Sequence, residues 1–221
     1  MTAKGTREWC MASEHGETAI MHFTHIENLP GIFRCGGLLA DSRMRELGGP
    51  VKDCADAEIK SRRQGVVITV PPHGCVADYV PFYYAPRSPM LYRIHRGGVS
   101  TYPHGQEPLI YLVSSAEKAL QGGIPWVGSD GNCAASMTRH FADWQDLQES
   151  IDWPLMSERM WNNTAEDGDR MRRRQAEFLV HEFFPLSCVT AIIAMSRDAA
   201  TKVIGIVGSD LEVRVDRNWY Y

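Results

Sequence analysis

Purely apolar runs in this 221-residue chain stop at about five residues, as at 109–113 (LIYLV), and each is soon broken by glycine, proline or charge. A helix that crosses a bilayer needs roughly 20 consecutive apolar residues. The pattern therefore predicts no membrane span, and instead short strands and helices packed on one another. At 44% hydrophobic and 23% charged residues, the chain has enough apolar material for one sizeable core, which excludes disorder as its main state. The first 20 residues lack an apolar signal core and carry Glu8, Glu14 and Glu17, acids that a transit peptide avoids, so a cytoplasmic location is expected.

Local signals give an order of elements. Residues 1–20 read as a polar leader and 21–221 as one domain. A strand starts at 21–24, Asn28 caps a short helix with Pro30 in its first turn, and Gly36 and Gly37 end it. Residues 54–64 (CADAEIKSRRQ) form a polar helix whose C-terminal end, favourable to cations, carries Arg62 and Arg63. Residues 66–70 read as a strand, broken by Pro71, Pro72, His73 and Gly74. The aromatic and proline-rich stretch 78–90 suits neither a regular helix nor a central strand and is expected to be a shaped wall. Strands follow at 109–113, 178–180, 189–195 and 211–215, with helices at 115–121 and 196–207 and near-helical apolar spacing over 141–161. The mixture, without a repeat, indicates the α+β class.

Several chemistries are excluded. A formal charge of −4 rules out a basic polyelectrolyte, so any nucleic-acid site must be a local patch. The six cysteines, at 10, 35, 54, 75, 133 and 188, form no CxxC pair and no zinc-like spacing with histidine; no metal is expected. The phosphate loop GxxxxGK[ST], the turn GxGxxG, HExxH and GxSxG are all missing from the sequence.

Three clusters remain. Arg170, Arg172, Arg173 and Arg174 lead directly into Gln175-Ala176-Glu177 and an apolar strand, where side chains two apart share a face. A carboxylate beneath a cationic loop suits stabilisation of developing positive charge or acceptance of a proton; the alternative is a solvated glutamate beside a surface charge run. His22 and Thr24 share a face of the first strand near His25 and Asn28, a polar cluster able to hold nucleotide hydroxyls and amides, although a lone histidine is more often structural. The rings of 79–92, with Arg87 and Ser88 as donors, offer stacking on a heterocycle or else a packed aromatic core.

Residues 22–30 (HFTHIENLP), 79–91 (YVPFYYAPRSPML), 175–180 (QAEFLV) and 219–221 (WYY) together resemble the DarT toxins, DNA ADP-ribosyltransferases of bacterial toxin-antitoxin pairs. The resemblance runs in order from about residue 20 to the end. It implies an ADP-ribosyltransferase fold related to the poly(ADP-ribose) polymerases, with flanking helices and a split central sheet around an NAD cleft. It also implies transfer of ADP-ribose from NAD to a base of single-stranded DNA, thymine favoured over guanine, and a macrodomain antitoxin that removes it. In this reading Glu177 is the catalytic glutamate and Arg63, or the adjacent Arg62, the catalytic arginine. His22, Thr24 and Asn28 line the NAD site, with Tyr83 or Tyr84 and Ser88 near the nicotinamide, and Gln175 helps select the acceptor. Arg170, Arg172, Arg173, Arg174, Arg87 and Met90 would clamp the strand.

Elementary chemistry agrees with these roles. Cleaving the nicotinamide glycosidic bond builds oxocarbenium character on the ribose, which a facing carboxylate stabilises. A ring nitrogen of a base is a poor nucleophile while protonated, and a guanidinium at the neighbouring carbonyl stabilises its anion. Such atoms are hidden in a duplex, which favours single strands. Two other functions fit parts of the pattern: an NAD-dependent RNA 2′-phosphotransferase with a similar H-x-T start, and a non-enzymatic single-strand-binding module.

Overall fold

A computed structural model describes residues 17–221; the expected leader up to residue 16 lies outside the described residues. Strand β1 (Ala19–His25) leads into a single 3-10 turn, where the His25 ring accepts from the Glu27 N–H. Helix α1 (Leu29–Cys35) carries proline in its first turn and ends at Gly36, whose φ of 73° is open to glycine without strain. Then come β2 (Gly37–Leu39), α2 (Asp41–Glu46) and α3 (Ala57–Gln64), the last capped by the Asp56 carboxylate on the Glu58 and Ile59 N–H groups.

Residues 66–70 do not form the expected strand. They join Cys75 and its neighbours through one bridge, Val67 to Cys75, flanked by Ile68 N–H to Gly74 O and Val76 N–H to Val66 O. Pro71 and Pro72 follow directly and have no N–H with which to extend a ladder.

The aromatic segment is the second difference: it contains β3 (Tyr79–Tyr83), a central strand, followed by α4 (Pro89–His95) with Ser88 as its N-cap. Alternation is present. Val80, Phe82 and Tyr84 enter the core beside Phe178 and Phe184, while Tyr79, Pro81 and Tyr83 face a cleft. Each large apolar side chain buried in this way contributes about 1.5–3 kcal/mol.

The chain continues through β4 (Leu109–Ser115), α5 (Ala116–Gln121), β5 (Trp126–Ser129), β6 (His140–Phe141), α6 (Trp144–Ser150), α7 (Trp153–Ser157) and α8 (Arg170–Arg173). It closes with β7 (Glu177–His181), β8 (Phe183–Pro185), β9 (Ala191–Ala194), α9 (Arg197–Val207) and β10 (Glu212–Val215). Eight strands form one mixed sheet in the order β10-β9-β4-β1-β3-β7-β5-β6, parallel only between β9 and β10, and β2 pairs separately with β8. No helix among the described residues is long and apolar enough to cross a membrane.

The sheet is split down its middle. β1 pairs with β4 along its whole length but with β3 only at Met21 and Tyr83. Pro81 explains how this is tolerated. Its carbonyl accepts from the His22 ring on the β1 side (2.8 Å), and the N and O of one strand residue point to the same edge. The missing N–H therefore falls in the split, and the β3–β7 ladder loses nothing.

Candidate active site

The split opens into a cleft of about 1210 Å³. Register orders its floor. Tyr83 lies directly opposite Glu177, Pro81 one step along accepts from His22, and β1 runs on past Thr24 towards Asn28. His22, Thr24 and Asn28 thus mark one end, Glu177 the middle, and Arg87, beyond β3, the other end.

Glu177 is 1% exposed, so it is not a solvated strand-start glutamate. Arg63, delivered by the C-terminal turn of α3, reaches it with both prongs: Nη1 donates to Oε1 at 2.9 Å and Nη2 to Oε2 at 2.8 Å. The Cys133 N–H adds a donor to Oε1 (3.3 Å), and the Glu177 N–H donates to the fully buried Ser129 Oγ (3.1 Å). A buried carboxylate persists only with partners of this kind. Burial opposes the charge on Arg63, but attraction and hydrogen bonding to Glu177 outweigh it and the net shift is upward. Arg62 points elsewhere: it is 60% exposed and near Glu58, so the geometry selects Arg63 of the two.

Burial, then the Glu177 charge, raise the Tyr83 phenol, which stays a neutral donor beside the carboxylate. Burial lowers the pKa of His22, only partly offset by its bond to the Pro81 carbonyl. A carbonyl can only accept, so Nδ1 carries the proton and neutral Nε2 is left as an acceptor. Asn28 lines the cleft, but its amide is occupied by Thr24 Oγ1 and by both the carbonyl and N–H of Lys52. Its contribution is to hold the 52–55 loop at the cleft edge.

Not every expected site residue reaches the cleft. Tyr84 sits on the other face of β3, buried against Trp153, because neighbouring strand residues alternate. Ser88 is 2% exposed and its hydroxyl accepts from the Leu91 N–H as a helix cap. The arginine run does not line the cleft, and its side chains have partners within the protein. Arg172 pairs with Asp130 and Asp169, and Arg173 with Asp152 and Asp167. Arg174 is buried and donates to the carbonyls of Leu155, Met156 and Pro86, and Arg170 pairs with Glu158. Arg87, Met90 and Gln175 do line the cleft.

Sequence reading missed the 159–162 loop, Asn132 and Tyr221, all of which line the cleft. Asn132 Nδ2 donates to Gln175 Oε1 (3.0 Å), and Tyr221 Oη accepts from Trp161 Nε1 (2.7 Å) and donates to the Arg87 carbonyl (2.5 Å). A side chain at Gly131 would run into the Arg172 guanidinium, so this turn can approach the arginine only as glycine. No local pattern marks these contacts, because their partners are distant in sequence.

The family model described as "ssDNA thymidine ADP-ribosyltransferase, DarT" matches residues 21–221. A DNA ADP-ribosyl transferase of Thermus sp. (strain 2.9) is 37% identical over 211 residues, covering 92% of this chain and 96% of that protein. One from Mycobacterium tuberculosis is 36% identical over 187 residues, covering 83% and 79% respectively. The solved structure of Thermus sp. 2.9 DarT in complex with ADP-ribosylated ssDNA superposes with a TM-score of 0.86 at 35% identity, over 96% of this chain and 99% of that one. The same protein in complex with NAD+ gives 0.81 at 35% identity, over 93% and 98%. The split sheet, the polar first strand and the matches over most of the chain agree, and the chain belongs to the DarT family of ssDNA thymidine ADP-ribosyltransferases.

Proposed function

We propose that this chain transfers ADP-ribose from NAD to a thymine of single-stranded DNA, with Glu177 and Arg63 as its catalytic residues. The observation that carries the reading is the Arg63–Glu177 pair on the floor of the cleft. At about 1210 Å³ the cleft exceeds the roughly 300–1,000 Å³ of ordinary small-molecule sites, room for a dinucleotide and an acceptor base together.

The donor's adenosine side lies toward His22 and Thr24, where neutral His22 Nε2 accepts from a ribose hydroxyl. Glu177 holds a hydroxyl of the second ribose and faces the positive charge that grows as the bond from C1′ to the nicotinamide nitrogen breaks. Arg63 leaves its bidentate contact to bind a thymine carbonyl oxygen, stabilising the anion formed as N3 gives its proton to the Glu177 carboxylate. N3 then bonds to C1′, and nicotinamide departs neutral. Gln175, held by Asn132, contacts the acceptor. A macrodomain antitoxin reverses the modification in this reading.

Mass spectrometry of mixed single-stranded oligonucleotides after incubation with protein and NAD tests it. Adducts of ADP-ribose confined to thymine-bearing strands are expected, and their loss with Glu177→Gln. Unmodified DNA beside ADP-ribosylated protein would overturn the reading.

A further inference from the structure

Helix α3, which delivers Arg63, has little apolar surface with which to seat itself. Only Ala57 and Ile59 among its residues are apolar, and none of them is buried. A helix of this kind cannot be held by an apolar face and keeps its place through polar ties. Arg63 holds Glu177 at its C-terminal end, and Lys60 Nζ bridges Asp41 and Asp53 at 2.6 Å each. At the N-terminal end the Asp56 carboxylate has two tasks. Its Oδ1 accepts from the Glu58 and Ile59 N–H groups, which caps α3, and its Oδ2 accepts from Arg93 Nη2 at 2.8 Å.

Arg93 is a fixed anchor. It belongs to α4, which is seated by the buried Leu91 and Ile94, and its Nε donates to the Gly98 carbonyl (3.0 Å) in the turn that follows. That turn closes on the arginine: the Gly98 N–H donates to the Arg93 carbonyl (2.8 Å), and a Cβ at Gly98 would come within 2.9 Å of Arg93 Cγ. The guanidinium is thus aimed at Asp56 by contacts that do not involve α3.

The tie matters most once the Arg63–Glu177 pair has opened. While Arg63 holds Glu177, both ends of α3 are fixed; when it turns to the acceptor base, the helix is left to Lys60 and Asp56. At about 1.5 Å per residue, Arg63 lies roughly 10 Å from Asp56, so a tilt of about 6° at the tie shifts it by about 1 Å. A misplacement of that size costs on the order of 100-fold in rate. Resting on the function proposed above, we infer that Asp56 and Arg93 are positioning residues that aim Arg63 at the acceptor base. They set where α3 stands, and the Arg63 guanidinium meets the base.

The test is steady-state kinetics of thymine modification, with melting temperatures, for Arg93→Gln, Asp56→Asn and Arg93→Lys, and for Arg93→Gln combined with Asp56→Asn or with Arg63→Lys. Asparagine keeps the cap and removes the charge. Arg93→Gln and Asp56→Asn are each expected to lower kcat about 10-fold, with KM for NAD and for the strand little changed, and to add little to one another. Arg93→Lys, which keeps the charge for a contact of one prong, should retain most of kcat. With Arg63→Lys already present, Arg93→Gln should cost little more, because the group being aimed is gone. Losses that multiply in full in that pair overturn the inference. So does a higher KM for either substrate at unchanged kcat, which would give Arg93 to that substrate. A lower melting temperature with full kcat also overturns it and leaves the tie to the scaffold. A wild-type protein that leaves thymine unmodified removes the proposed function itself; one that modifies thymine, beside an Arg93→Gln variant equal to it, overturns this inference alone.

Discussion

Arg63 and Glu177, 114 residues apart, meet in a two-pronged ion pair of 2.9 and 2.8 Å at the floor of the split sheet. In the proposed mechanism the two groups separate so that Arg63 can reach an acceptor base, which makes this pair its resting state. Arg63→Lys keeps the charge but cannot form the fork. We expect kcat for DNA modification to fall about 100-fold or more, with KM for NAD little changed. Removing the charge with Arg63→Ala strands a buried carboxylate, which costs about 3–5 kcal/mol. Thermal unfolding of the two variants separates these effects, and equal melting temperatures would contradict the account.

His22 links acid pH to stability. Burial holds its pKa in the folded state below the usual 6.5, so the unfolded chain binds the proton first. The contribution of neutral His22 is complete above about 6.5 and is lost as the pH falls through its lower folded-state value. NAD binding that relies on Nε2 as an acceptor should therefore persist somewhat below pH 6.5 before it fails. His22→Gln should flatten the acid limb of the NAD-binding profile; an unaltered limb would assign it to another group.

The β1 end of the site and Glu177 are legible in the sequence, whereas the wall around Arg87 and the supports of Glu177 are not. β1, the capped α1 and α9 follow from alternation, Pro30, Gly36 and Ser196, all of them local signals. Glu177 is marked by its place at the start of an apolar strand, and Arg63 emerges only when α3 is docked against that strand. β3 was obscured by Pro81, since a proline argues against a central strand unless a neighbour has pulled away, and that separation is a property of the assembled sheet. The pairing within the arginine run was hidden for a similar reason. Asp167 and Asp169 stand within six residues of the arginines they hold, but Asp130 and Asp152 lie 42 and 21 residues away from Arg172 and Arg173, so the local sequence shows only part of the pairing.

Those partners give a direct test. Arg173 is held by Asp152 at 3.0 Å and Asp167 at 2.6 Å. Arg173→Gln should lower the melting temperature and leave the salt slope of strand binding where it was. A smaller slope would return Arg173 to the DNA contacts.

Ser129 fixes the glutamate from behind. Its buried hydroxyl accepts from the Glu177 N–H and donates to the Gly131 carbonyl (2.8 Å). Ser129→Ala leaves that N–H unsatisfied at a cost of about 1–3 kcal/mol and releases the start of β7. Lower kcat at nearly constant KM for NAD is expected; full activity with only reduced stability would limit Ser129 to the scaffold.

Tyr221 ties the far wall together. Its hydroxyl accepts from Trp161 Nε1 and donates to the Arg87 carbonyl, and its ring lies beneath the Arg87 guanidinium. Arg87 has a φ of 58°, a left-handed conformation that costs a non-glycine residue about 1–3 kcal/mol and so needs external support. Tyr221→Phe keeps the stacking but removes both hydrogen bonds, which lets the Arg87 backbone relax and frees Trp161 and the loop that carries it. KM for the DNA strand should rise while NAD affinity holds, because His22 and Thr24 lie at the other end of the cleft. If NAD affinity falls and strand affinity does not, Tyr221 supports the donor, and the division of the cleft into a donor end and an acceptor end is wrong.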